Sequence, residues 1–377
     1  MHRTSEFRLL VVRLGAMGDI LHALPAVTAL RIAHPEWRID WVVDPRWRAL
    51  LEAGSRGLEI GNREKGTENR EEEGVGARDL GAGARDEGQP LVDGIHFAPA
   101  KEWGRRPVAS RTLREIRGLR RALRASGYDA ALDLQGAVRS AMIARLAGCG
   151  RVIGEAEPRE GAARWLFNER VRTHGAHVIE QDVELASALA GDKLEPVKPL
   201  LPMDGEAELW CGKVLTGKLP VVVMNPGAGW GAKRWPVERY AMVARGLVDR
   251  GIEVVVNTGP GEEPLAQVIV QETKGAARLL MPSLGRLIEL MRRVALCISG
   301  DSGPLHLACA LGRPVVGIYG PTDPTRNGPF GTRARVLRSP ASRRDHSRKS
   351  EPEAGLLTIQ PEEVLRAAEE LLVGETA

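Results

Sequence analysis

The chain of 377 residues has few aromatic side chains and no long apolar run. Phe, Trp and Tyr together make up 4% of it, whereas Gly contributes 43 residues and Pro 24. Antiparallel sandwiches are rich in aromatic residues, so this composition favours an α/β architecture with many tight turns. No stretch approaches the roughly 18 apolar residues of a membrane helix, and the N-terminus has no signal-peptide core. We therefore expect a cytoplasmic protein that at most touches a membrane surface.

Several motifs of common metal and nucleotide sites are absent. The four cysteines are far apart and form no C-x-x-C pair, which argues against a disulfide framework or a zinc site and indicates buried thiols in a reducing compartment. No D-x-D triplet occurs, so a metal-chelating sugar-nucleotide site has no support. The dinucleotide pattern G-x-G-x-x-G and the Walker pattern G-x-x-x-x-G-K-[ST] are also missing.

The excess of positive charge is small, at +4 for the whole chain, and does not by itself indicate nucleic-acid binding. It is unevenly distributed, because Gly61–Pro90 holds eight acidic and five basic residues. This stretch also contains seven glycines and only Val75 and Leu80 as larger apolar side chains. It cannot bury enough surface to offset its ordering entropy, so we predict a disordered insertion. Arg338–Ala354 is similar in composition but basic.

Short β-branched runs alternate with helical patterns in two separate series, which predicts two Rossmann-like domains with parallel sheets. The predicted strands are Arg8–Arg13, Ile39–Val43, Gly94–Phe97 and Ala130–Leu134, then Pro220–Met224, Glu253–Asn257, Arg278–Leu280, Leu296–Ser299 and Val315–Tyr319. The first series includes helices at Ile20–Ala33 and Thr112–Ser126. The proline-containing segment Asp192–Asp204 is the expected linker. It separates domains at 1–191 and 205–355, and a helical segment at 356–377 follows them.

The first candidate site follows the first predicted strand, in the segment Arg13–His22. Its glycines, spaced G-x-x-G, let the backbone approach a ligand, and a helix starting near Asp19 points amide groups into a cleft. Asp19 is either a general base or the cap of that helix. His22, one turn later, either orients the acid or satisfies a buried polar contact.

The second candidate site is the loop Gly300–His306, which follows a buried strand. Pro304 suits the first turn of a helix, so the amides of Ser302 and Gly303 and the Ser302 hydroxyl would face an anion at its N-terminus. His306 lies in the same first turn, within reach of a phosphate. The alternative is an ordinary strand-to-helix turn with an N-terminal cap.

A third loop, Asn225–Pro236, adds glycines for close approach and the cations Lys233 and Arg234. After the next strand, Glu262 either holds a sugar hydroxyl or caps the following helix. Together these loops predict a site where a helix N-terminus and cations, rather than a metal, neutralise a diphosphate.

The segments RLGAMGDILHALPAV, NPGAGWGAKRWP and SGDSGPLHLACALGRPVVGIYGPTDPTRNGPFG together resemble the lipopolysaccharide heptosyltransferase family, glycosyltransferase family 9. Two further segments, YDAALDLQGAVRSA and EPREGAARWLFNERV, are most similar to heptosyltransferase I, which adds the first heptose to Kdo of the inner core. The resemblance implies a GT-B fold with two facing Rossmann-like domains. It also implies an inverting glycosyltransferase that uses ADP-heptose without a metal or other cofactor. The implied acceptor is Kdo-lipid A at the cytoplasmic face of the inner membrane, with no nucleic-acid partner.

The resemblance also assigns roles to residues at matching positions. Asp19 matches the catalytic base, which deprotonates the acceptor hydroxyl for in-line attack on the anomeric carbon. The implied donor-binding residues are Lys233, Glu262, Asp301, Ser302, Gly303 and His306. Ala228 and Gly229 stand where relatives can have hydroxyl residues, so backbone amides would act there. The implied acceptor-binding residues are Lys101, Arg105, Arg106 and Arg159, although Glu102 departs from an all-basic pattern. Arginine suits Kdo because it binds carboxylates in a bidentate manner.

Three alternatives remain at this point. A heptosyltransferase of type II would use the same donor with a heptosyl-Kdo acceptor. A nicotinamide-dependent oxidoreductase would also have paired Rossmann-like halves, but the missing G-x-G-x-x-G with an acid about 20 residues later disfavours it. A non-catalytic nucleotide-binding module is opposed by the joint presence of Asp19 and the intact donor loop.

Overall fold

The computed structural model describes residues 6–52, 90–215, 217, 219–345, 347 and 349–373. They form two parallel sheets of six strands each, with spatial orders β3-β2-β1-β4-β5-β6 and β12-β11-β10-β7-β8-β9. The first sheet consists of β1 Arg8–Val12, β2 Arg38–Val43, β3 Gly94–Phe97, β4 Ala130–Asp133, β5 Arg151–Glu155 and β6 Glu169–Val171. The second consists of β7 Val221–Asn225, β8 Glu253–Asn257, β9 Arg278–Leu280, β10 Leu296–Gly300, β11 Val315–Tyr319 and β12 Ala334–Arg338.

Helices follow most strands, as parallel crossovers require. They are α1 Met17–Ala33, α2 Ala100–Arg105, α3 Ser110–Ser126, α4 Val138–Leu146, α5 Val178–Ala190, α6 Gly205–Val214, α7 Val237–Val248, α8 Glu263–Glu272, α9 Leu284–Arg293, α10 Gly303–Ala310, α11 Pro324–Asn327 and α12 Pro361–Val373. The predicted α/β class with two parallel sheets is confirmed. Among these helices, none has the length and apolar content needed to cross a bilayer.

Most interior strands were predicted because they are buried on both faces and read as apolar runs, and the edge strands β3 and β9 were predicted as well. The strands β5, β6 and β12 were missed. β6 and β12 lie at sheet edges, where charged residues interrupt the pattern. β5 contains Gly154, where a Cβ would lie 2.5 Å from the Phe167 ring. Glycine is therefore needed for the ring to pack there, but it weakens the strand pattern in the sequence. Helix α1 begins at Met17, earlier than predicted, and α3 begins at Ser110.

Both sheets have the same strand order, which reverses between β1 and β4 and between β7 and β10. Open parallel sheets bind ligands at these reversal points, outside the carboxyl ends of the strands. The N-termini of α1 and α10 meet where the two halves contact each other. A Cβ on Gly18 would lie 2.7 Å from His306, and one on Gly303 would lie 2.6 Å from the Met17 sulfur. Glycine at both positions therefore lets the two candidate loops share one cleft.

Described residues of the basic stretch Arg338–Ala354 form backbone hydrogen bonds with the second half, which their composition does not predict. The Ala232 amide donates to the Lys349 carbonyl (3.0 Å), and the Glu353 amide donates to the Ala232 carbonyl (3.1 Å). A Cβ on Gly231 would lie 1.6 Å from the Ser350 carbonyl oxygen. These backbone contacts hold residues 349–353 against the turn Gly231–Lys233. Side-chain composition does not reveal such contacts. The predicted disordered insertion at 61–90 lies, except for Pro90, outside the described residues.

Candidate active site

Asp19 lies on the first turn of α1, directly beyond the end of β1. One of its carboxylate oxygens accepts a hydrogen bond from the Ala16 amide at 3.0 Å, and the other lies 3.8 Å from the Arg13 guanidinium. The side chain is 27% exposed. Asp19 is therefore at the third helical position rather than at the N-cap. It satisfies an amide at the helix start while it remains accessible from the cleft.

Behind Asp19 lies a buried acid that the motifs did not reveal. Asp182 of α5 is 3% exposed and lies 4.0 Å from the second terminal nitrogen of Arg13. Burial raises the pKa of Asp182 to about 7, and the negative charge of Asp19 adds to the shift while Arg13 opposes it. Burial likewise raises the pKa of Asp133, at the end of β4, to about 6. The one sequence signal for Asp182 is an acid on the otherwise apolar buried face of α5.

The loop after β10 forms a buried charged cluster. Asp301 pairs with Lys233, and the second Asp301 carboxylate oxygen lies 3.1 Å from Nε2 of His306. Burial alone would raise the pKa of Asp301, but hydrogen bonding to His306 and the charge of Lys233 outweigh it and hold that pKa well below its ordinary value. The Lys233 ammonium also lies 4.2 Å from the centroid of the Trp230 ring, a cation–π contact. Lys233 is thus fixed beside the N-terminus of α10.

Ser302 does not cap α10, although it occupies the N-cap position. Its hydroxyl lies 2.7 Å from the Ser299 hydroxyl and 3.5 Å from the Asn225 amide nitrogen. The Asn257 side chain in turn donates to that of Asn225 at 2.8 Å. This buried network joins the ends of β7, β8 and β10, and sequence reasoning missed its two asparagines. Without a side-chain cap from Ser302, the amide end of α10 faces the cleft.

Glu262 lies next to the lysine-bearing loop. Its carboxylate accepts from the Gly259 amide at 3.2 Å and lies 3.7 Å from Arg234. A Cβ on Gly227 would lie 2.0 Å from the same carboxylate, so glycine is needed for this approach. Glu262 makes no side-chain cap to α8. The structure therefore gathers all six candidate donor residues at the carboxyl edge of the second sheet.

The candidate acceptor residues divide into two groups. Lys101 and Arg159 line a cavity of about 740 Å³ beside Gly15 and Ala16, next to the start of α1. Arg46 and Arg139 line the same cavity and were missed, because neither belongs to a recognisable motif. Arg105 and Arg106 are exposed on and just after α2 and do not line it.

A histidine pair connects the two halves. Nε2 of His22, on α1, lies 3.2 Å from Nδ1 of His306. Burial, followed by the charges of His306 and His177, lowers the pKa of His22 well below its ordinary value, so His22 is neutral. Because the Asp301 carboxylate only accepts, the hydrogen-bond pattern assigns a proton to Nε2 of His306. His22 thus makes a buried polar contact rather than orienting Asp19.

The sequence profile described as "Glycosyltransferase family 9 (heptosyltransferase)" matches residues 116–356. The chain belongs to glycosyltransferase family 9. Among the relatives of this family member, lipopolysaccharide heptosyltransferase 1 of Escherichia coli K12 is 29% identical over 345 residues, covering 88% of this chain and 94% of that protein. Lipopolysaccharide heptosyltransferase 2 of the same strain is 32% identical over 287 residues, covering 70% and 81%.

Solved structures show the same fold. The E. coli heptosyltransferase WaaC with ADP has a TM-score of 0.74 at 24% identity and covers 97% of this chain and 100% of its own. E. coli ADP-heptose lipopolysaccharide heptosyltransferase II has a TM-score of 0.73 at 23% identity, with 98% and 100% covered.

The predicted GT-B fold and the predicted family are therefore confirmed, and this family 9 enzyme is a heptosyltransferase of lipopolysaccharide biosynthesis. This result rules out the oxidoreductase and the non-catalytic module. Within the described ranges, no group of three or more His, Cys, Asp or Glu side chains is placed to hold a metal ion.

Proposed function

We propose that this enzyme is a heptosyltransferase I, which transfers heptose with inversion from ADP-heptose to the Kdo of Kdo-lipid A. The observation that carries the proposal is the group of cations Lys101, Arg139 and Arg159 around the cavity beside Gly15 and Ala16, near the start of α1. Arg46 lines the same cavity but is paired with Asp44. Kdo carries carboxylates, which guanidinium groups recognise with two parallel hydrogen bonds. The match with heptosyltransferase 1 supports this acceptor, since it extends over 88% of the chain.

The proposed base is Asp19. Its carboxylate is partly exposed, and the Ala16 amide and Arg13 hold it at the cleft. It takes the proton from the acceptor hydroxyl as that oxygen attacks the anomeric carbon from the face opposite the leaving diphosphate. The glycosidic bond forms as the bond to ADP breaks, so the configuration inverts.

The proposed donor site lies in the second half. The diphosphate binds at the N-terminus of α10, where the amides of Ser302 and Gly303 and the ammonium of Lys233 offset its charge without a metal. Asp301 and His306 position Lys233, and Glu262 accepts hydrogen bonds from donor hydroxyls. In this division, residues 1–191 bind the acceptor and residues 205–355 bind the donor. The linker at 192–204 lets the halves close and exclude water from the cleft.

The proposal is tested by measuring ADP release from ADP-heptose with Kdo-lipid A, with heptosyl-Kdo-lipid A and with no acceptor. We expect turnover with Kdo-lipid A well above the rate without acceptor, and little with the heptosylated lipid. The reverse order would assign the heptosyltransferase II reaction, a candidate favoured by the 32% identity to heptosyltransferase 2. ADP release that no acceptor stimulates would contradict both.

A further inference from the structure

The positive charge of this enzyme is concentrated in one segment. Residues 101–124 contain nine basic and two acidic side chains, so their net charge of +7 exceeds the +4 of the whole chain. The segment consists of α2, a short connection and α3. Of these residues, only Lys101 lines the proposed acceptor cavity. The arginines of α3 are left without a role.

Five of the six arginines of α3 lie in one sector of the helix surface. The helix packs on the core through Thr112, Leu119 and Leu123, which are buried. At 100° per residue, the five exposed arginines lie between about 80° and about 200° from the centre of the buried side. We name this set the arginine face: Arg114, Arg117, Arg120, Arg121 and Arg124.

The arginine face is not neutralised within the described part of the chain. Glu115 is the one acidic residue of α3, and it is already engaged by Arg111 (2.8 Å) and by the Trp103 indole of α2 (2.8 Å). Arg111 is the one α3 arginine with an ion pair among the described residues. Like charges three and four residues apart on a helix repel each other. The face thus carries a self-repulsion that an anionic partner would relieve.

The arginine face also adjoins the acceptor cavity. Lys101, on α2, lines that cavity, and the bond from Trp103 to Glu115 ties α2 to α3. Val108, between the two helices, is 85% exposed, and Leu113 on the outer side of α3 is 38% exposed. One continuous surface therefore leads from the proposed acceptor site to the arginines.

We propose that the arginine face docks this enzyme on the phosphate headgroups of an anionic lipid bilayer. It would hold the mouth of the acceptor cavity against the membrane that contains the lipid acceptor. This inference rests on the proposed function, which supplies an acceptor embedded in a membrane. The apolar side of α3 is used by the core, so attachment is electrostatic and needs no insertion of the helix. A single-stranded nucleic acid fits this face less well, because α3 has no aromatic side chain on which bases stack.

The test is flotation of the full-length chain with vesicles of phosphatidylethanolamine and phosphatidylglycerol, and with vesicles of phosphatidylcholine alone. We expect binding to the anionic vesicles only. That binding should disappear as ionic strength rises from about 0.1 M to about 1 M, because the Debye length falls from about 10 Å to about 3 Å.

The triple variant Arg114→Gln/Arg117→Gln/Arg121→Gln removes three positive charges. Glutamine has a high helix propensity, so α3 should remain intact. Each arginine near an anionic surface strengthens attachment about fivefold, so binding to anionic vesicles should weaken roughly 100-fold. The matched control is Lys213→Gln/Lys274→Gln/Arg366→Gln, which removes three exposed charges from the other half and should bind like the unaltered chain. Equal thermal unfolding temperatures establish that both variants are folded.

The variants also separate docking from catalysis. In the arginine-face variant, the ratio of transfer onto vesicle-embedded acceptor to transfer onto acyl-free acceptor should fall. Equal vesicle binding by the two triple variants would overturn the proposal, and so would tighter binding to an oligonucleotide than to anionic vesicles. If vesicle binding behaves as expected but Kdo-lipid A is not glycosylated, the proposed function fails and the docking surface stands.

Discussion

Replacement of Asp182 by Asn should stabilise the protein more at alkaline pH than in mild acid. Burial raises the pKa of Asp182 from 3.8 to about 7 in the folded state, so the folded protein binds more protons than the unfolded chain between these pH values. Stability contributed by this carboxyl is therefore present at low pH and is lost as pH rises toward 7. Compared with a side chain that does not ionise, Asp182 therefore lowers the free energy of unfolding by about 2 kcal/mol at pH 5 and by about 4 kcal/mol at pH 8.5.

The variant keeps the size of the side chain and removes its ionisation. Its gain in unfolding free energy over the unaltered protein should therefore be about 2 to 3 kcal/mol larger at pH 8.5 than at pH 5. Urea unfolding followed by circular dichroism at the two pH values measures this difference. Asp133, whose pKa is raised to about 6, is present in both proteins and cancels in the comparison. Asp192→Asn, at an exposed site, is the control and should show no pH-dependent difference. An Asp182→Asn effect that is equal at both pH values would refute the argument that burial of this charge dominates.

Three further substitutions test the cleft. Asp19→Asn should lower kcat by about 100-fold or more, the range of a general base, while calorimetry finds ADP-heptose affinity within about twofold of normal; near-normal turnover would contradict the base assignment. His22→Leu leaves Nδ1 of His306 without its hydrogen-bond partner and should lower the urea unfolding free energy by about 1 to 3 kcal/mol, whereas His22→Gln keeps a polar side chain there and should recover part of the loss. Arg159→Gln removes a guanidinium group that can bind a carboxylate with two hydrogen bonds. It should raise KM for Kdo-lipid A about tenfold without changing KM for ADP-heptose. The control Arg335→Gln, on the other half, should change neither KM.

Local patterns predicted the elements that are buried from both sides. The runs that became β1, β7, β10 and β11 are apolar along nearly their whole length, since helices cover both faces of a parallel sheet. At the edges, β6 and β12 are exposed on several residues and carry charged side chains, so their sequences do not differ from loops. Their strand conformation depends on a neighbouring strand that is distant in sequence.

In the cleft, too, local patterns revealed some residues and not those that depend on contacts between distant segments. Asp19 and Ser302 became candidates because they lie in glycine-rich strand-to-helix turns, and Asp301 became one because its loop resembles the donor loop of the family. Arg46, Arg139 and Asp182 belong to a 3₁₀ turn and two helices whose local sequence gives no indication of a ligand. Only the packing of the first domain brings Asp182 beside Asp19 and brings the two arginines to the cavity beside Gly15 and Ala16. The pairing of His22 with His306 depends on contact between the halves, which no local pattern encodes.

Residues 349–353 form backbone hydrogen bonds with the turn Gly231–Lys233, which contains the proposed donor-site lysine. The proposed donor site can therefore be completed only after this late segment of the chain has been made. A ribosome makes this protein from its N-terminus, so Lys233, Glu262, Asp301 and His306 all leave it before the residues that fasten the lysine turn. A nascent chain that ends before Lys349 contains every proposed donor-binding side chain and lacks the backbone partners of Ala232. The lysine that we propose as a partner of the diphosphate thus acquires its final support only when synthesis is almost complete.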